Sequence, residues 1–409
     1  MHRWATLSLC FVACCAAQTK VRDACVPPPA GVPPSLPAKL MPGQGTVHFP
    51  ITTANAEAQL FFDQGVAQMH SFWANEAERS FLQAAELDPE APMPWWGIAM
   101  VAAGDYRPRF QLDLYEEVAG KQKPPLTRAD DAIEKALRLS AAEGKATPLE
   151  KLYIASIAAR RNRNAKDPDA GYIEGLRAIV AGHPEQIEAK LYLALHLMRG
   201  YTLPDRQPRP GTMEAVELLR ALASEAPEHP GVHHYIIHGW EGSSFAKDAW
   251  ESCRRYAELA PNIPHALHMP GHIYSQTGRW EDAIRAFSAA SENELGFMKA
   301  DATYATGHHG HNVHYLSTSY SFSGETDKAI EAARTLLAFK ENPREASMVD
   351  NFRTAYRQGW FALLRALVQS ESWDAILAGE LPQYDKPRET AWRHWAAGLA
   401  HAAKHDAEA

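Results

Sequence analysis

From about Asn55 onward, apolar positions recur three and four residues apart between short polar turns, and no stretch alternates apolar with polar as a half-buried strand would. The pattern predicts an all-α chain. Small residues then serve as a ruler for internal repeats. Gly65, Ala77, Phe81, Ala84 and Pro89 stand at successive offsets of 12, 4, 3 and 5. Gly271, Ala283, Phe287 and Ala290 reproduce the first three offsets, and Ala249, Cys253, Tyr256 and Pro261 reproduce the last three. Weaker copies sit at Ala129-Ile133-Ala136, Ala215-Leu219-Leu222-Pro227 and Ala329-Ala333-Leu336.

These offsets resemble the tetratricopeptide repeat, a helix-turn-helix unit of 34 residues with small side chains where its two helices meet. The match is good at 58–91, 230–263 and 264–297, and looser elsewhere, with insertions near 105–125, 200–211 and 298–307. The resemblance implies a tetratricopeptide superhelix, an α-solenoid of about seven to nine helix pairs, whose first helices line a concave face.

The histidines follow the same ruler. Three segments, GVHHYIIHGWE, NIPHALHMPGHIY and HHGHNVHY, carry ten of the 19 histidines. His234, His268 and His314 each lie fifteen residues before Ala249, Ala283 and Ala329 respectively. His238 and His272 lie eleven before their alanine, and His265 and His311 eighteen before. Residues three or four apart share one helix face. Seven imidazoles are therefore expected at equivalent places on the first helices of three successive repeats, within 230–320. His233, His308 and His309 flank them, whereas His70 and His196 read as ordinary core histidines.

Imidazoles gathered in one groove are costly to bury unless each has a partner, and a metal ion supplies one. The set His234, His238, His265, His268, His272, His311 and His314 exceeds one tetrahedral site and suits one or two metal ions. Nitrogen-rich ligation points to copper, with zinc as the alternative, and the scarcity of nearby carboxylates argues against a di-iron carboxylate site. Glu241, three residues after His238, is placed to orient a histidine, act as a base or ligate directly. Tyr274 is a second candidate for chemistry, as a proton or hydrogen-bond donor. Pro270, between His268 and His272, either kinks its helix or sits near its start.

The ends of the chain add a compartment. Arg3, the apolar run from Leu7 to Ala13 and the small-residue exit at Cys15-Ala16-Ala17 form the pattern of an export signal over 1–17. A lipidated form, using Cys14, is the second option. Residues 18–54 are proline-rich and read as a leader outside the fold, with the helical array occupying 55–409. Removal of the signal leaves Cys25 and Cys253, which an oxidising compartment would allow to pair. No later stretch approaches the roughly 20 apolar residues of a membrane span. A net charge of -8 gives no electrostatic case for nucleic acid.

Two functions remain open at this level. One is an exported metalloprotein acting on a small-molecule or peptide substrate, as a metal-dependent oxidase or oxygenase, or as a hydrolase if the ion is zinc. The other is a scaffold or metal carrier that grips a peptide partner. The 105–125 insertion is a candidate lid.

Overall fold

The computed structural model describes residues 37–111, 127–162, 164–301, 304, 307–340 and 354–406. Among them the regular structure is helical, with one isolated β-bridge between Tyr201 and Pro208. The chain forms two compact units, Met1–Met269 and Pro270–Ala409.

The first unit contains α1 (Ala56–His70), α2 (Ala74–Leu87), α3 (Met93–Ala103), α4 (Thr127–Ser140), α5 (Pro148–Arg161), α6 (Pro168–Gly182), α7 (Ile187–Leu197), α8 (Thr212–Glu225), α9 (Pro230–Trp240) and α10 (Trp250–Leu259). Helix α11 (Pro264–Gln276) carries the boundary between the units. The second unit adds α12 (Trp280–Ala300), α13 (Gly307–Ser323), α14 (Thr326–Leu337), α15 (Ala355–Gln369), α16 (Trp373–Leu377) and α17 (Pro387–Ala403).

Local chemistry sets the helix starts. The Asn55 side chain accepts from the amides of Glu57 and Ala58, and Thr147 with Glu150 forms a reciprocal capping box on α5. Proline occupies the first turn of α5, α6 and α9, where its missing N–H costs nothing.

Along α1–α10 of the first unit and α12–α17 of the second, each helix packs on its neighbour in sequence, the plan of stacked helix hairpins on which tetratricopeptide arrays are built. The repeat ruler explains the close approach. A Cβ on Gly65 would stand 2.6 Å from the Phe81 ring, and one on Gly271 would stand 2.5 Å from the Phe287 ring. The alanines at 77, 84, 249, 283, 290 and 329 are fully buried. Gly65→Ala is therefore expected to destabilise the first unit by about 1–3 kcal/mol through overpacking. Gly182→Ala, with nothing within 4 Å of the added carbon, should be neutral or slightly stabilising. Urea unfolding of the two variants measures the contrast.

In the first unit α9 also packs back onto α1, so the two ends of a long helix series meet. Part of the expected leader joins them. Met41 N donates to Gln64 Oε1 at 2.7 Å, Gln68 Nε2 donates to Gln44 Oε1 at 2.7 Å, and Asn262 N donates to the Gly43 carbonyl at 2.8 Å. Phe49 is buried among Phe62, Trp96 and Tyr153, with ring centroids 5.0–5.9 Å apart. Residues 41–52 are thus a built-in part of the first unit, and the expectation that they stand outside the fold is corrected. Val47 and Phe49 supply the buried apolar side chains that prolines upstream cannot. The export signal, Cys25 and the rest of the leader to residue 36 lie outside the described residues, as does 112–125 of the candidate lid.

Candidate metal centre

Three of the seven expected histidines converge in the first unit. One ring nitrogen each from His234, His238 and His265 lies within 4.8 Å of the others. His234 and His238 are one turn apart on α9, and His265 stands at the start of α11. His234 and His238 are buried almost completely.

Their hydrogen bonds decide what they offer. His234 Nδ1 donates to the His70 backbone carbonyl at 2.5 Å. His238 Nδ1 donates to the Glu241 carboxylate at 2.9 Å. A carbonyl and a carboxylate can only accept here, so both protons sit on Nδ1 and both Nε2 atoms present lone pairs. Those two Nε2 atoms are buried and have no hydrogen-bond partner. Each such atom costs about 1–3 kcal/mol when buried unsatisfied. A histidine whose Nδ1–H is held by a carboxylate or carbonyl while Nε2 faces a common point is the arrangement of a metal ligand with its supporting partner. Burial, then the neighbouring His238, hold His234 well below the ordinary imidazole range, so it is neutral and available for coordination.

Glu241 therefore acts on His238 as an orienting acceptor, one of the three roles its spacing allowed. His268, buried on α11, stacks on His265 with centroids 5.8 Å apart. His233 is engaged elsewhere, its Nε2 donating to the Pro227 carbonyl at 2.8 Å.

A second buried cluster lies beside this one, and sequence spacing does not reveal it. Ring nitrogens of His70 and His229 and a carboxylate oxygen of Glu188 also lie within 4.8 Å of one another. The donor arrangement is the opposite of the first. His229 Nδ1 accepts the Gly231 amide at 3.1 Å, which places its proton on Nε2, and that proton goes to Glu188 Oε1 at 3.1 Å. His70 Nε2 likewise donates to Glu188, while its Nδ1 meets the Tyr235 hydroxyl at 2.7 Å. Burial pushes the Glu188 carboxyl up, but the two histidines and their hydrogen bonds outweigh it and hold the group well below the usual carboxylate range. Every polar atom named here has a partner. This is a structural ion network joining α1, α7 and α9, in which all four imidazole nitrogens are engaged.

The second unit holds the other histidines. His272 and His311 stack with centroids 5.9 Å apart, and Tyr315 lies 4.5 Å and 4.8 Å from their rings. Tyr274 packs under the Arg279 guanidinium, 5.1 Å from its ring centroid. His314 corrects the expectation that it is a ligand. Its Nδ1 donates to Gln358 Oε1 at 2.6 Å, and its Nε2 accepts from Arg365 at 2.8 Å, so both nitrogens are taken. A buried carboxylate that the spacing did not flag, Glu294, takes His308 Nδ1 at 3.2 Å.

Burial, then the Arg365 charge, lower His314 from 6.5 to about 4. Below pH 6.5 the unfolded chain takes up a proton that the folded state refuses, so this stabilisation is present above 6.5 and lost as pH falls towards 4. The shift corresponds to about 3 kcal/mol. Urea unfolding of the second unit should weaken over that window, and His314→Gln should flatten the slope.

No family profile matches the chain, and no curated protein matches it. Solved structures do. The human IFIT1 dimer with m7Gppp-AAAA is 15% identical, covering 87% of this chain and 88% of that one at a TM-score of 0.37. Yeast Tom70 is 13% identical, covering 85% and 89% at 0.28. The APC/C hetero-tetramer Cut9-Hcn1 is 13% identical, covering 87% and 72% at 0.30. Among the described residues no helix is long and apolar enough to cross a membrane.

Proposed function

We propose that this is an exported tetratricopeptide-type metalloprotein whose first unit holds a metal ion through His234, His238 and His265. The observation that carries the reading is the pair of buried, unsatisfied Nε2 atoms on His234 and His238, each backed by an acceptor on Nδ1. Copper is the favoured ion and zinc the alternative, because both accept three neutral imidazoles. Three protein ligands leave a coordination position for water or a substrate, which an ion of this kind polarises for hydrolysis or, with copper, turns to oxidation.

The competing reading, a peptide-gripping scaffold, is less favoured for the first unit. Residues 41–52 of the chain itself already run along α1 and the starts of α9 and α11, where Gly45 packs on Pro230 and Gly43 on Asn262. The test is elemental analysis of the chain purified after expression with copper, zinc and iron supplied. One ion per first unit, lost on chelation and restored on readdition, is the expected result. A chain that retained none of the three would overturn the proposal.

A further inference from the structure

Phe72 follows α1 in the left-handed backbone region at φ 53°, a conformation that a bulky side chain seldom adopts. Such an outlier costs on the order of 1–3 kcal/mol and persists only where its surroundings impose it. Its ring contacts all three converging imidazoles. The centroid lies 4.4 Å from His234, 5.2 Å from His238 in a stacked arrangement and 5.5 Å from His265. Three ring contacts worth about 0.5–1.5 kcal/mol each are enough to offset the strain. Tyr106 also meets Phe72 at 5.7 Å, and the Arg107 guanidinium stands 5.4 Å from its centroid. Tyr106 and Arg107 belong to a segment fixed at both ends, since Arg160 Nε donates to Asp105 at 2.5 Å and Arg109 pairs with Asp169 at 2.9 Å.

We infer that Phe72 is the roof of the metal centre, and that it restricts the open coordination position to small ligands such as water, dioxygen or azide. This rests on the metal reading above. A ring in contact with all three imidazoles stands over the space between them, and the 105–109 segment backs it. Substrates of the site are accordingly small molecules, or a single narrow group of a larger one.

The test uses the full chain loaded with Cu(II), titrated separately with azide and with imidazole and followed by ligand-to-copper absorption. Phe72→Gly relieves the backbone strain while removing the ring, and Phe72→Leu keeps apolar bulk as a control. In the wild-type and Phe72→Leu proteins azide should bind and imidazole should not. Phe72→Gly should gain imidazole affinity by at least about tenfold, with azide affinity and copper content unchanged. Wild-type protein that bound imidazole as readily as the glycine variant would overturn the roof. Copper content that fell in Phe72→Gly would do so too, by assigning Phe72 to assembly of the ligands. Wild-type protein that took up no copper would remove both this inference and the reading beneath it.

Discussion

Replacing His238 with alanine is expected to lower metal affinity by on the order of a hundredfold or more while leaving helical content unchanged. The imidazole has its Nδ1 on Glu241, its Nε2 buried without a hydrogen-bond partner and a ring nitrogen within 4.8 Å of those of His234 and His265, so its loss would remove a ligand and free a carboxylate. Glu241 is a quarter exposed, and its freed carboxylate can reach water at little cost to the fold. Glu241→Gln separates orientation from ligation. It keeps an acceptor for the Nδ1 proton but loses the charge, and it should weaken metal binding by about 10–100-fold without abolishing it. Competition with a coloured chelator measures both. A His238→Ala protein that bound metal as the wild type does would exclude this histidine from the site.

The second large effect concerns the network beside the proposed metal centre. Glu188→Ala leaves the buried His70 and the partly buried His229 with donors that have lost their acceptor, and breaking a buried pair such as His70–Glu188 costs about 3–5 kcal/mol. The loss should appear as a lower urea midpoint, and the metal should feel it as well. The His70 carbonyl that sets the His234 tautomer sits at the end of the same helix, so a shifted α1 loosens both. The pH dependence follows from the depressed carboxyl. Glu188 stabilises the folded state above its unfolded value near 4.5, and that contribution is lost as pH falls below it. A protein equally stable at pH 7 and pH 3, or a Glu188→Ala chain as stable as the wild type, would contradict the assignment.

The sequence made the hairpin plan and part of the site legible, for a shared reason. Gly65 opposite Phe81 and Gly271 opposite Phe287 obey a fixed spacing because helix hairpins repeat, and His234 and His238 lie one turn apart on a single helix. Periodicity reports what lies along one helix or recurs between equivalent helices. It is silent on contacts that depend on how distant segments meet. Glu188, on α7, reaches His70 across 118 positions, and Phe72 covers α9 from the end of α1. His314 obeys the repeat ruler as well as His234 does, yet Gln358 and Arg365 from α15 take both of its nitrogens. Residues 41–52 read as leader because they hold no helical period, and it is tertiary contact that folds them in, through the burial of Val47 and Phe49 and the hydrogen bonds to Gln64, Gln68 and Asn262.

The most direct measurement of the central claim is the X-ray absorption spectrum of the metal-loaded chain at the edge of its bound ion. Three nitrogen neighbours at roughly 2.0–2.1 Å, with the outer-shell pattern of imidazole rings, are predicted. His234→Ala, His238→Ala and His265→Ala should each remove one ring from that pattern. A shell made of oxygen or sulfur, or one unchanged by all three substitutions, would contradict it.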